Sequence, residues 1–173
     1  YKLTHQLLSR LLLQNQNQVP EFMVWAIRDL KRAPLDRVQI IKGWTELSGK
    51  PHEKVYDVAC SDGRKANIKT GLCKDSRAKV NLSNCKISKN FGADELKVVW
   101  KDPDFNPNLK AFYYVRVLEN PTCRWSTWDA IKSGEKPRGD LPSTIQERAW
   151  TSPIWYVPDN DGIVVRNILP DDV

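Results

Sequence analysis

Few residues in this chain of 173 are of types that perform chemistry, and their spacing narrows what that chemistry can be. A Ser/His/Asp or Cys/His nucleophile needs an imidazole beside it. The chain has two histidines. His5 sits in the N-terminal segment, and His52 follows Gly49-Lys50-Pro51 and reads as a turn residue. No Gly-x-Ser-x-Gly, Walker loop or Gly-x-Gly-x-x-Gly is present. Glu147 and Arg148 are adjacent, and Arg116 and Glu119 close the run AFYYVRVLE. A carboxyl group so placed would serve as a general acid, but an Arg–carboxylate pair is more commonly structural. Asp102-x-Asp104-x-Asn106 opens like a calcium loop. The count then fails, because the sixth position is Pro107 and the twelfth Tyr113, where Gly and Glu are required. A proline-fixed turn with Asx capping is the alternative. These residues imply no catalysis and no cofactor for this chain alone.

Binding is better supplied. Trp125, Trp128, Trp150 and Trp155 lie in two short stretches, with Glu147 and Arg148 between them. Exposed tryptophan faces would hold sugar rings; buried, the same residues would form core. The net charge of +6 is concentrated between residues 64 and 89, in Arg64, Lys65, Lys69, Lys74, Arg77, Lys79, Lys86 and Lys89 against the single acid Asp75. Such a patch attracts an anionic polymer or membrane surface. It holds no Phe, Tyr or Trp, so the stacking platform of single-strand binders is missing, and no specific nucleic-acid partner follows. A solvated loop is the simpler alternative.

The four cysteines, Cys60, Cys73, Cys85 and Cys123, include no Cys-x-x-Cys pair of the kind zinc sites use. Two disulfides fit better than zinc or free thiols, and they place the chain in an oxidising compartment, periplasmic or secreted. Three connectivities are open. The favoured one joins Cys73 to Cys85, closing a loop worth about 3 kcal/mol, and Cys60 to Cys123. No apolar run approaches the ~18 residues of a membrane helix. With seven Trp, five Tyr and four Phe, wholesale disorder is excluded. Tyr1 is not an initiator methionine and no signal peptide is visible, so the chain reads as processed or cut from something longer.

The elements that must carry these residues are mostly strands. Residues 3–14 set leucines at helical spacing and predict a short N-terminal helix, followed by a polar linker to residue 18. Strands are expected at 22–28, a continuous apolar run with both faces covered, and at 37–46, 53–60, 96–100 and 111–119. A basic, cysteine-bearing excursion spans 61–93. One or two helical turns fit 126–133, loop fits 134–144, and Pro153 marks an edge or bulge in the last aromatic strand. Another short strand is expected at 163–168. This pattern predicts a mainly β, Ig-like antiparallel sandwich over 19–173, with residues 1–18 as a separate helix and linker.

Several blocks go further: RVQIIKGW, HEKVYDVACSDGR, ELKVVWKDPDFNP, AFYYVRVLENPTCRWSTWDAIKSG and TIQERAWTSPIWY. Over residues 20–157 the chain resembles the C-terminal region of a large, mostly exported bacterial family of unknown function. That family's full-length members are similar to the PHP (polymerase and histidinol phosphatase) metal-dependent phosphoesterases. The resemblance implies that the metal-binding half, with its Gly-Asp-x-His-x-His type motif, lies outside this chain. It implies a non-catalytic β-sandwich, a truncated product or fragment, with 1–18 outside the family pattern. Such a module would pack against a catalytic domain or, alone, bury its docking face in a homodimer. The alternative is a module binding carbohydrate or an anionic polymer.

Overall fold

A computed structural model describes residues 7–12, as strand backbone, and 19–158. The strand expected at 163–168 lies outside the described residues. The fold is mainly β, and the two larger of its antiparallel sheets face each other as a sandwich.

The larger sheet is built around β8 (Ala111–Glu119), where alternation is clearest. Ala111, Tyr113, Val115 and Val117 turn inward and are buried, while Phe112, Tyr114 and Arg116 turn outward. β8 pairs with β3 (Leu35–Thr45), and β3 pairs in turn with β4 (Pro51–Cys60). Two short strands share the other edge of β8: β11 (Arg148–Trp150) faces residues 116–118, and β12 (Ile154–Tyr156) faces residues 111–113. Pro153 has no N–H for the ladder, so the chain bulges between them. Thr151 bridges the gap: its N–H donates to the Val115 carbonyl, and its hydroxyl accepts the Val115 N–H. The smaller sheet has the order β1 (Leu7–Leu12), β2 (Glu21–Ile27), β7 (Glu95–Lys101). Phe22, Val24 and Ala26 of β2 pack on Val38, Ile40, Tyr113, Val115 and Val117 across the sandwich.

Two sequence expectations about the N-terminal part are corrected. Residues 7–12 form a strand, not a helix, because β2 offers an open ladder edge and β1 pairs with it from Leu7↔Ala26 to Leu12↔Glu21. Pairing across the sheet overrides helical spacing in so short a segment. The rest of the expected helix and linker, 1–6 and 13–18, lies outside the described residues. β2 is also not covered on both faces. Met23 and Trp25 point outward, beside Val99 of β7, and are exposed.

The excursion between β4 and β7 holds one small hairpin, β5 (Val80–Asn81) with β6 (Lys86–Ile87). Its disulfides are Cys60–Cys73 and Cys85–Cys123, not the pairing expected from loop length. The reason is Asp57, which is buried on β4. Its N–H donates to the Gly71 carbonyl, and its carboxylate accepts the Cys73 N–H at 2.7 Å. These bonds lay residues 71–73 along β4 and bring Cys73 to Cys60. Cys85, left over, closes on Cys123 in β9 (Thr122–Cys123), which pairs with β10 (Thr144–Ile145). Between β9 and β10 runs α1 (Trp125–Ser133), ended by Gly134 in the left-handed conformation. The expected helical turns and the loop after them are therefore both present.

Candidate functional site

Outward alternation on β8 puts Phe112, Tyr114 and Arg116 on the free face of the larger sheet. β11 and β12 add Arg148, Trp150 and Trp155 to the same face. With Thr151 and Pro153 these residues line an open groove of about 460 Å³. Phe112 packs against Gly43 of β3, where any Cβ would clash with Cε1 and Cζ of the ring. It stacks with Tyr114, with centroids 6.4 Å apart, and tilts against Trp155 at 5.2 Å. Phe112 and Trp155 also line a second hollow of about 620 Å³. Its far wall holds Trp44 and His52, stacked at 5.1 Å. His52 is not in a turn: it stands on β4, with Nε2 2.6 Å from Glu46.

Arg116 is held from the side, across the ladder. Its Nε donates to Gln39 Oε1 at 2.7 Å, and Gln39 Nε2 donates to Asp57 Oδ1 at 2.6 Å. A buried carboxylate on β4 thus orients a guanidinium on β8 through a buried amide on β3. Arg116 does not meet Glu119, and Arg148 does not pair with Glu147. Among the described residues neither arginine has a carboxylate within 4.0 Å.

The four tryptophans do not form one platform. Trp150 and Trp155 belong to the outer groove, whereas Trp125 and Trp128 stand on α1 beside Glu147, Glu119, Arg32 and Arg124. Glu119 is buried there, and burial pushes its carboxyl up to about 7 despite the pull of Arg32; Glu147 adds to the rise.

The Asp102–Asn106 loop is committed to the protein's own groups. Buried Asp102 pairs with buried Lys42 at 2.6 Å and accepts the Tyr113 hydroxyl at 2.7 Å. Asp104 accepts from Lys54 and from the Tyr56 hydroxyl, which hold its carboxyl below the ordinary range. Burial pushes both tyrosine hydroxyls up, and the neighbouring aspartates push the same way. Asn106 caps a turn through the Asn108 N–H. Among the described residues no three His, Cys, Asp or Glu side chains gather as a metal-holding set.

The basic run is dispersed. Arg64 is structural, clamped on buried Asp36 at 2.6 Å and on three backbone carbonyls, those of Asp36, Ser61 and Lys74. Arg77 lies over the Phe91 ring. Lys65, Lys69, Lys74, Lys79, Lys86 and Lys89 are exposed along the excursion.

Residues 7–158 match the family model of DUF3604, described as a protein of unknown function. The chain belongs to that family. The match reaches back to residue 7, so part of the stretch expected to fall outside the family lies inside it. No curated protein and no solved structure matches the chain. In this DUF3604 chain no described helix is long and apolar enough to cross a membrane. The two disulfides fit a non-cytoplasmic compartment.

The groove residues missed from sequence are Phe112 and Tyr114. The signal was available in the period-2 pattern of 111–117, which sorts that part of the strand into an inward set and an outward aromatic–arginine set.

Proposed function

We propose that this chain is a non-catalytic, Ig-like β-sandwich module of a larger, exported protein related to the PHP phosphoesterases, and that its role is packing and assembly. The observation that carries this is α1. A helix on a globular domain normally turns an apolar stripe to its own core. Here only Thr127 is buried, while Trp125 is 75% exposed and Trp128 41%. A helix that presents two tryptophans to solvent is built to be covered by another surface. In the whole protein that surface is the other half; for the chain alone it is a second copy.

Light scattering on the non-reduced chain tests this. The expected result is a dimer that Trp125→Ser/Trp128→Ser converts to a folded monomer. A monodisperse wild-type monomer overturns the assembly role.

A second reading, a saccharide or anionic-polymer binding module, is favoured by a separate observation. Two arginines without a carboxylate partner among the described residues line an aromatic groove distinct from the α1 surface, and the groove has no layer of the described residues over it.

A further inference from the structure

The geometry points to a specific subsite in the outer groove: a sugar ring carrying a carboxylate or sulfate, its flat face on the aromatic wall and its oxyanion between Arg116 and Arg148. This rests on the second reading above and names its ligand class.

Three features carry it. First, the groove's charge is one-sided. Arg116 and Arg148 line it, no Asp or Glu does, and neither arginine has an ion-pair partner among the described residues. A guanidinium presents a planar fork of donors that matches a carboxylate or sulfate, whereas a neutral ligand would leave that fork unanswered. Second, Arg116 is preorganised. The Asp57–Gln39 chain fixes Nε on the sheet side and leaves the other two guanidinium nitrogens for the groove. Holding a binding group in place before the ligand arrives lowers the entropy lost on binding.

Third, the walls are rings. Phe112, Tyr114, Trp150 and Trp155 offer apolar faces, with Trp150 62% exposed. The volume of about 460 Å³ falls within the range of roughly 300–1,000 Å³ in which small ligands are held. The hollow that shares Phe112 and Trp155 continues the groove toward Trp44 and His52, so a chain of sugar units has a path beyond the first. A nucleic-acid strand fits less well, because the exposed lysines of the excursion do not line either hollow.

Tryptophan fluorescence and calorimetric titration of the intact, oxidised chain test this. The probes are an oligogalacturonate, a sulfated galactan oligosaccharide, neutral cellohexaose and a single-stranded oligonucleotide. At least one acidic saccharide is expected to bind at least tenfold more tightly than cellohexaose. Arg148→Gln and Arg116→Gln should each weaken that binding about tenfold. Trp150→Ala should weaken it similarly, and Lys65→Gln/Lys69→Gln should leave it within twofold. Arg148 is exposed and its side chain makes no hydrogen bond to a described residue, so its variant reports on binding without risk to the fold. Equal binding of cellohexaose overturns the oxyanion subsite and leaves saccharide binding standing. No saccharide binding overturns both, and the dimer test for α1 is unaffected. Tighter binding of the oligonucleotide, lost in Lys65→Gln/Lys69→Gln, also overturns the proposal.

Discussion

Replacing Asp102 by asparagine should be among the most damaging single changes in this protein, although it alters only one atom of the side chain. Asp102 and Lys42 are a buried ion pair, with side chains 0% and 4% exposed and 2.6 Å between their charges. The Asp104 N–H bonds one carboxylate oxygen and the Tyr113 hydroxyl the other, and the amide has a single accepting oxygen, so it keeps one of these bonds and sets an NH2 donor against the other group. What the change removes is the charge that answers Lys42, leaving that ammonium buried with the Asp104 carbonyl as its remaining hydrogen-bond partner. Breaking one side of such a pair costs about 3–5 kcal/mol. That is a large part of a typical stability of about 5–15 kcal/mol. It corresponds to a fall in Tm of about 10 °C in a domain of this size. The assay is urea unfolding with the disulfides intact, on a double-mutant cycle. Adding Lys42→Met to Asp102→Asn removes the stranded charge and should restore at least half of the loss. A loss under about 1 kcal/mol for Asp102→Asn, or a double variant no better than the single, would refute the assignment of this pair as the lock between the 102–106 loop and β3. Millimolar calcium should leave the wild-type Tm unchanged; a rise would mean that Asp102 and Asp104 serve a cation after all.

Three further outcomes are expected. Peptide mapping without reduction should recover Cys60 with Cys73 and Cys85 with Cys123. Replacing the second pair by Ala should be the costlier change, about 4 against about 3 kcal/mol, because it frees the longer loop. Glu119 has a folded-state pKa of about 7, above its unfolded value, so its contribution is fully present below the unfolded value and is lost as pH rises through 7. Glu119→Gln should therefore remove up to about 3 kcal/mol of stability loss between about pH 4.5 and 8, read as a flatter Tm–pH curve. Gly43→Ala should destabilise by about 1–3 kcal/mol by displacing the Phe112 ring, and Phe112→Ala in the same chain should relieve the clash, as near-ultraviolet circular dichroism and unfolding would report.

The long strands are legible because they are long. In 111–119 the inward–outward alternation runs from Ala111 to Val117, and only the last two residues, Leu118 and Glu119, break it by being buried as well. Residues 7–12 mislead because six residues of leucine-rich sequence fit either period, and only the open edge of β2 decides between them. The cysteine pairing depends on one buried carboxylate, Asp57, whose bonds to residues 71 and 73 have no sequence signature. The candidate site is half visible. Trp150, Trp155 and Arg148 stand out by type, but proximity along the chain groups Trp125 and Trp128 with them, and the turn from α1 back to β11 separates the two sets. Chain order also offers Arg116 the wrong partner, since Glu119 is three residues along an extended strand and Gln39 is beside it across the ladder.

The disulfide arrangement also sets a problem of timing for synthesis. In any chain oxidised as it is made, Cys60, Cys73 and Cys85 are available together before Cys123. Cys73 then has two neighbours at nearly equal separation, 13 residues back to Cys60 and 12 forward to Cys85. Loop entropy does not separate two such closures. Selection of the native one falls to β4, whose Asp57 must already be gathering residues 71–73 when oxidation begins. A chain oxidised ahead of that step traps Cys73 on Cys85 and strands Cys60, so correct maturation depends on the relative rates of strand pairing and thiol oxidation, or on an isomerase to reshuffle the bond.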